Sequence, residues 1–181
     1  MVDVRRLRAD EGPRLRELRL RALAAAPDAF GDTLAAAAAR PAEAWQTRAT
    51  HAAAGKDYVL FVAEERGHWY GLAGGLFEDD ASDEAEVVSM WVDPAARGSG
   101  LSQRLLDAVT AWARAHGAAS MRLWVTEGNA PAIALYERCG FAFTGEAAPL
   151  PSNAALRELA MRRPDVGNRQ QATGIRDDAC P

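Results

Sequence analysis

The sequence predicts an α/β (α+β) fold, a single domain whose sheet is flanked by about four helices. Three observations carry this. Strand-like apolar runs alternate with segments whose apolar residues recur at helical spacing. One stretch, Ala85 to His116, joins such a run to a glycine loop and then to a helix. The 181 residues are 49% hydrophobic and 25% charged, an ordinary globular composition with length enough for one sizeable core.

Val2 to Leu7 has the pattern of a short first strand. Asp10 stands where a cap belongs, ahead of a helix from Glu11 to Ala26. Leu15, Leu18, Ala22 and Leu23 form its buried side, with Arg14, Arg16, Arg19 and Arg21 expected mostly outside. The segment Ala26 to Asp32 breaks that helix. Pro41 to Ala54 makes a second helix, anchored by Trp45 and ended by Gly55. Tyr58 to Glu65 and Trp69 to Phe77 read as two strands joined by the tight turn Arg66-Gly67-His68, and Gly71, Gly74 and Gly75 mark a bulge or a close backbone approach. In the acidic turn Glu78 to Glu86, six of nine residues are carboxylates. It is either a solvated connection or a source of field that attracts a cationic amine. After the central unit come a strand from Ser120 to Val125, a helix from Asn129 to Arg138 and a strand opening at Phe141 and Phe143. A connection at Pro149 to Asn153 leads to Leu156–Met161, which closes the sheet. From Pro164 the chain is polar and aperiodic, so the domain is expected to span 1–163 and 164–181 to form a disordered tail.

A net charge of −4 argues against a general nucleic-acid binder. Cys139 and Cys180 make no disulfide framework, the opening MVDVRRLRADEG lacks a signal-peptide core, and no apolar run is long enough for a membrane span. A cytoplasmic protein with no membrane partner is expected. No spacing matches a metal site, so no metal is expected either.

In the central unit, Val87, Val88, Met90, Trp91 and Val92 form a strand that stops at Asp93-Pro94. Leu101, Leu105, Ala108/Val109 and Trp112 then recur at helical spacing. Strand, glycine loop and helix together offer backbone N–H groups to an anion. The first turn of a helix has unpaired donors and a partial positive charge, and glycine lets a phosphate come close. A dinucleotide-binding fold fits poorly: Gly98-x-Gly100-x-x-Gln103 lacks the third glycine, and Asp93 to Ala96 intervenes between strand and loop. No Gly-x4-Gly-Lys-Ser/Thr loop is present.

Arg97-x-x-Gly100-x-Ser102 resembles the Arg/Gln-x-x-Gly-x-Gly/Ala signature of the GCN5-related N-acetyltransferase (GNAT) superfamily, with Ser102 in the final small position. Asn129-Ala-Pro-Ala-Ile-Ala-Leu-Tyr136-Glu-Arg-Cys-Gly140-Phe141 resembles that family's N-x-x-A-x-x-L-Y-x-x-x-G-F segment, in the family's order and after an intervening strand. The resemblance extends from Val2 to Arg162. It implies a mixed sheet splayed at its centre, acetyl-CoA (coenzyme A) as co-substrate, and direct transfer of acetyl to a primary amine. The acceptor would be a small molecule, with the acidic turn favouring a cationic one, or a protein N-terminus or lysine. The alternative is a non-catalytic module that binds or senses acetyl-CoA on the same fold. Family members often dimerise, so a homodimer is within expectation.

Acetyl transfer from a thioester to an amine needs a neutral amine, a fixed donor for the oxyanion, and a proton for a thiolate whose free-thiol pKa is about 8.5. The resemblance assigns the general acid to Tyr136, since a phenol of unperturbed pKa about 10 stays protonated at neutral pH. It assigns the pyrophosphate to Arg97, Gly98, Ser99, Gly100, Leu101, Ser102 and Gln103, and the pantetheine arm and oxyanion to the backbone of Met90, Trp91 and Val92. Asn129 matches a cofactor contact and equally a helix cap. Glu86 occupies the position of the base in histone-type members, and strand alternation puts Glu84, Glu86, Val88 and Met90 on one face. Ribosomal-protein alanine acetyltransferases carry their base five residues before the motif Asn, where this chain has Trp124. Phe30, in the break that the resemblance sets beside the acceptor, and Glu84 are the acceptor-binding candidates. Their plainer alternatives are a core plug and a rim carboxylate. Cys139 reads as packed and His51, His68 and His116 as solvated.

Overall fold

The computed structural model describes residues 2–79 and 82–164. Asp80 and Ala81 of the acidic turn, Cys180 and the tail beyond Pro164 lie outside the described residues. Seven strands form one sheet: β1 (Asp3–Arg6), β2 (Tyr58–Glu65), β3 (His68–Leu76), β4 (Glu84–Val92), β5 (Ser120–Thr126), β6 (Ala142–Leu150) and β7 (Asn153–Pro164). Their order is β1-β2-β3-β4-β5-β7-β6. All neighbours run antiparallel except β4 and β5, so the sheet is mixed.

Among the described residues five α-helices cover it: α1 (Gly12–Ala25), α2 (Leu34–Ala39), α3 (Ala42–Ala54), α4 (Leu101–Ala115) and α5 (Ala130–Arg138). Burial on both faces explains the continuous apolar run of β2. Val59 and Ala63 join Leu105, Val109 and Trp112 of α4 in one core. Leu60 and Val62 join Leu15, Leu18 and Leu23 of α1 and Trp45 of α3 in the other. None of the described helices is long and apolar enough to cross a membrane.

The structure corrects four expectations. The cap position of α1 is Glu11, not Asp10, and Glu11 is drawn away from capping because its carboxylate accepts from the Arg8 N–H and from Arg5. The break after α1 holds a 3-10 turn at Pro27–Ala29 and then α2, whose Ala36 N–H donates to Thr33 Oγ1 at 3.1 Å. The last strand is longer than its apolar residues suggest and includes Pro164. It also inserts between β5 and β6 instead of closing the sheet, because Leu159 and Met161 pack into the core beside β5 while β6 is left as a largely exposed edge.

Two irregularities shape the centre of the sheet. β4 and β5 pair only over Glu84–Glu86 with Ser120–Arg122, then diverge. Leu72 pairs with Trp91 and Gly74 with Val88, so Ala73 faces two residues, Ser89 and Met90, across a bulge. Ser89 takes a φ of 57°, a left-handed conformation rare for a side-chain-bearing residue. The glycines opposite are packing requirements. A Cβ on Gly75 would lie 2.7 Å from the Trp112 ring, and one on Gly74 would lie 2.8 Å from Leu60.

Candidate active site

The divergence of β4 from β5 opens a cleft of about 690 Å³. One wall is Met90, Trp91 and Val92; the other is Trp124, Val125 and Thr126. Between the end of β4 and α4, Asp93 Oδ1 accepts from the Ala95 N–H at 3.0 Å and holds a 3-10 turn at Pro94–Ala96. Arg97 Nε donates back to the Val92 carbonyl at 3.3 Å. The chain then turns through Gly98 and Gly100, both at φ +79°, and a Cβ built on either would meet nothing within 4 Å. Glycine is needed at both for its conformation.

No side chain caps α4, and its first backbone bond is Arg104 N–H to Gly100 O. The amides of Leu101, Ser102 and Gln103 therefore lack intrahelical acceptors and carry the positive end of the helix dipole. Open space in front of two glycines, uncapped amides and Arg97 beside them fit a diphosphate. Of the residues predicted here, Arg97, Gly98, Gly100, Ser102 and Gln103 line the cleft. Ser99 and Leu101 do not: the Ser99 hydroxyl donates to Ala96 O at 2.6 Å, and the Leu101 side chain is buried in the core. Each can offer a backbone amide only. Asn129 both lines the cleft and caps α5, its Oδ1 accepting from the Ala132 N–H at 3.4 Å.

A second cavity, also of about 690 Å³, meets the first at Ala29, Met90, Trp124 and Tyr136. Its outer rim is formed where the β6–β7 turn docks on the break after α1. There Ser152 Oγ donates to Phe30 O at 2.5 Å, and Pro151 packs on Gly31. Tyr136 stands at the junction, 6% exposed, with its ring edge-on to Phe141 at 6.0 Å. Burial, with a smaller push from Cys139, raises its phenol above the usual tyrosine range. It is a neutral proton donor at any physiological pH.

The carboxylate candidates separate. Glu86 lines the second cavity, half-buried. Burial and the charges of Glu78, Glu158 and Glu84 raise its pKa against the pull of Arg122. Glu84 is not on the cavity wall: its carboxylate accepts from Arg162 Nε and, at 2.8 Å, from Ser120 Oγ. Burial works upward on Glu84, but these bonds outweigh it and hold the group below the carboxylate range. Phe30 lines the cavity while itself buried.

Wall residues that were not anticipated include Arg19, Arg40, Arg48, Trp45 and Glu158. Arg19 corrects the expectation that the α1 arginines lie outside, since it is 6% exposed. The signal was in the spacing, because Arg19 sits four residues after Leu15 and four before Leu23, on the buried stripe. Among the described residues no group of three His, Cys, Asp or Glu side chains is placed to hold a metal ion.

Two cavities that meet at one buried phenol suit a protein that brings two small molecules together. Residues 16–141 match the family model described as the acetyltransferase (GNAT) family, and the chain belongs to that family. A mycothiol acetyltransferase of Thermomonospora curvata is 36% identical over 121 residues, which make up 67% of this chain and 37% of that protein. The chain thus spans well under half the length of that relative. Among solved structures, an acetyltransferase of the GNAT family from Streptococcus pneumoniae superposes with a TM-score of 0.76 at 15% identity, covering 91% of this chain and 99% of that one. Salmonella typhimurium yncA, solved with its cofactor acetyl-CoA, gives a TM-score of 0.72 at 20% identity and covers 99% of both chains. At these identities the two structures speak for the fold.

Proposed function

We propose that residues 1–163 form one acetyltransferase domain that uses acetyl-CoA to acetylate a primary amine by direct attack, without a covalent acyl-enzyme. The observation that carries this is the meeting of the two cavities at Tyr136, one opening onto the uncapped start of α4 and the other onto Glu86. Acetyl-CoA is the co-substrate on the strength of family membership and of the cradle for a diphosphate.

In this reading the amides of Ser102 and Gln103, with Arg97, hold the pyrophosphate, and the backbone of Met90 to Val92, released from β5, pairs with the pantetheine arm. A β4 amide at the bulge stabilises the oxyanion. Glu86 takes a proton from the acceptor ammonium, directly or through water, and its raised pKa makes it a stronger base than an ordinary carboxylate. The neutral nitrogen attacks the thioester carbonyl and the carbon–sulfur bond breaks. Tyr136 then gives its phenolic proton to the departing sulfur, and the proton released by the product nitrogen restores the phenol.

Purified protein with acetyl-CoA and a panel of amines tests the reading. Thiol release that depends on the amine is the expected result. Tight binding of coenzyme A with no release on any amine would favour a sensing module and overturn the enzymatic reading.

A further inference from the structure

The cavity that carries Glu86 also holds a buried guanidinium without a polar partner. Arg19 Nε and Nη1 are buried with no hydrogen-bond partner among the described residues. The guanidinium lies 4.3 Å from the centroid of the Phe30 ring. Asp32, whose field reaches it, is already committed: Arg40 Nη1 and Nη2 donate to its two oxygens at 2.6 and 3.0 Å. Arg48 lines the same cavity from α3. Its Nε donates to the Tyr58 hydroxyl at 2.9 Å and its Nη2 to Ser89 Oγ at 3.2 Å, both neutral partners. With Arg40 paired to Asp32, Arg19 and Arg48 remain on the cavity wall as cations without an ion pair among the described residues.

A guanidinium removed from water without a counter-ion is costly, and stacking on one aromatic ring offsets only part of that cost. Burial and the nearby charge of Arg48 pull Arg19 down to about 10, which leaves it cationic at neutral pH. The same cavity carries Glu86 and Glu158, half-buried carboxylates that suit an ammonium. One cavity therefore offers a cationic and an anionic wall.

We propose that the acceptor is a small amine that also carries a free carboxylate, an amino acid or close derivative, with the carboxylate held by Arg19 and Arg48 and the amine turned toward Glu86 and Tyr136. This rests on the reading of the protein as an acetyl-CoA-dependent N-acetyltransferase. A planar guanidinium fork matches two carboxylate oxygens. Because Arg48 has already spent two donors on Tyr58 and Ser89, the donors that remain suit a carboxylate better than the three oxygens of a phosphate.

The test uses the full chain with acetyl-CoA and matched acceptors: amino acids, their carboxamides, the corresponding decarboxylated amines and aminoalkyl phosphates. Free carboxylates are expected to exceed their carboxamides in kcat/KM on the order of 10²-fold, chiefly through KM, because the amide leaves buried charged donors unpaired. Arg19→Gln should shrink that ratio to less than about tenfold. Should thermal melting show that Arg19→Gln does not fold, Arg48→Gln serves instead and should reduce the ratio by about tenfold. Preference for carboxamides, decarboxylated amines or aminoalkyl phosphates, or a ratio that both variants preserve, overturns the carboxylate subsite. Calorimetry with coenzyme A separates the two levels. Coenzyme bound and neutral amines preferred defeats this inference alone, whereas no coenzyme bound and no amine acetylated defeats the transferase reading and this inference together.

Discussion

Replacing Tyr136 by Phe removes one oxygen from the junction of the two cavities. The ring keeps its edge contact with Phe141, and no hydrogen bond from the hydroxyl to a described residue is lost. Folding should scarcely change: a shift within about 0.5 kcal/mol moves the melting temperature by roughly 1–2 °C in a domain of this size. Coenzyme affinity should also hold, because the cradle at Gly98 to Gln103 is untouched. Turnover is the quantity that should fall. General acids contribute about 10²–10⁴-fold. A thiolate whose conjugate acid has a pKa of about 8.5 is already a competent leaving group, so the loss belongs at or below the bottom of that range. We expect kcat to fall by about 10- to 100-fold, equivalent to roughly 1.4–2.7 kcal/mol of barrier. Amine-dependent thiol release gives kcat, and calorimetry with coenzyme A gives affinity. An unchanged kcat would remove Tyr136 from the proton path. A parallel loss of coenzyme affinity would make it a packing residue instead.

Gly100→Glu should abolish coenzyme A binding, whereas Gly67→Glu should not. Both glycines sit near φ +80° with open space ahead, so the backbone strain is shared and only Gly100 faces the cleft; equal binding by the two variants would refute the cradle. For Glu86, the carboxylate must be unprotonated to act, so kcat/KM should fall as pH drops through its raised pKa, at a pH above the ordinary carboxylate range. Glu86→Gln should erase that limb and lower the plateau by about 10²-fold, and a limb that survives in the variant assigns it to another group. A fourth prediction concerns stability. Arg5 donates to Glu11 at 2.6 and 2.9 Å and to Glu64 at 2.8 Å, bonds that outweigh burial and hold both carboxyls below 4.5. The folded chain then binds fewer protons than the unfolded chain in this range. The contribution is complete above 4.5 and is lost as pH falls through the lowered values. Arg5→Met should flatten the fall of melting temperature below pH 4.5, and an identical slope in the variant contradicts the network.

Most of the fold was legible in the chain because its signals are local. Periodicity places α1, α3, α4 and α5, and alternating or continuous apolar runs place β2 to β5. What was not legible depends on distant partners. Nothing in Asn153–Pro164 tells that β7 slots between β5 and β6, since that order follows from which core the Leu159 and Met161 side chains reach. The 3-10 turn and α2 were hidden in a Pro/Gly/Ala-rich stretch with almost no periodic apolar pattern. The cradle was legible because helix start and glycine loop are contiguous. The second cavity was not, because its walls come from α1, the break after it, α3, β4, β5, α5, β7 and the β6–β7 turn.

Charge shows the same division. The acidic turn dominates a reading of the sequence because its carboxylates are adjacent, and adjacency suggests a sink for cations. Folding disperses them: Glu84 is bound to Arg162 and Ser120, and Glu86 is the turn's described carboxylate that reaches the cavity wall. The arginines work the other way. Arg19, Arg40 and Arg48 are separated in sequence, on α1, before α3 and on α3, yet they line one cavity. A chain of net charge −4 can thus gather three arginines on one cavity wall. Asp32 is spent on Arg40, so the buried guanidinium of Arg19 is left without a hydrogen-bond partner for its Nε and Nη1 among the described residues.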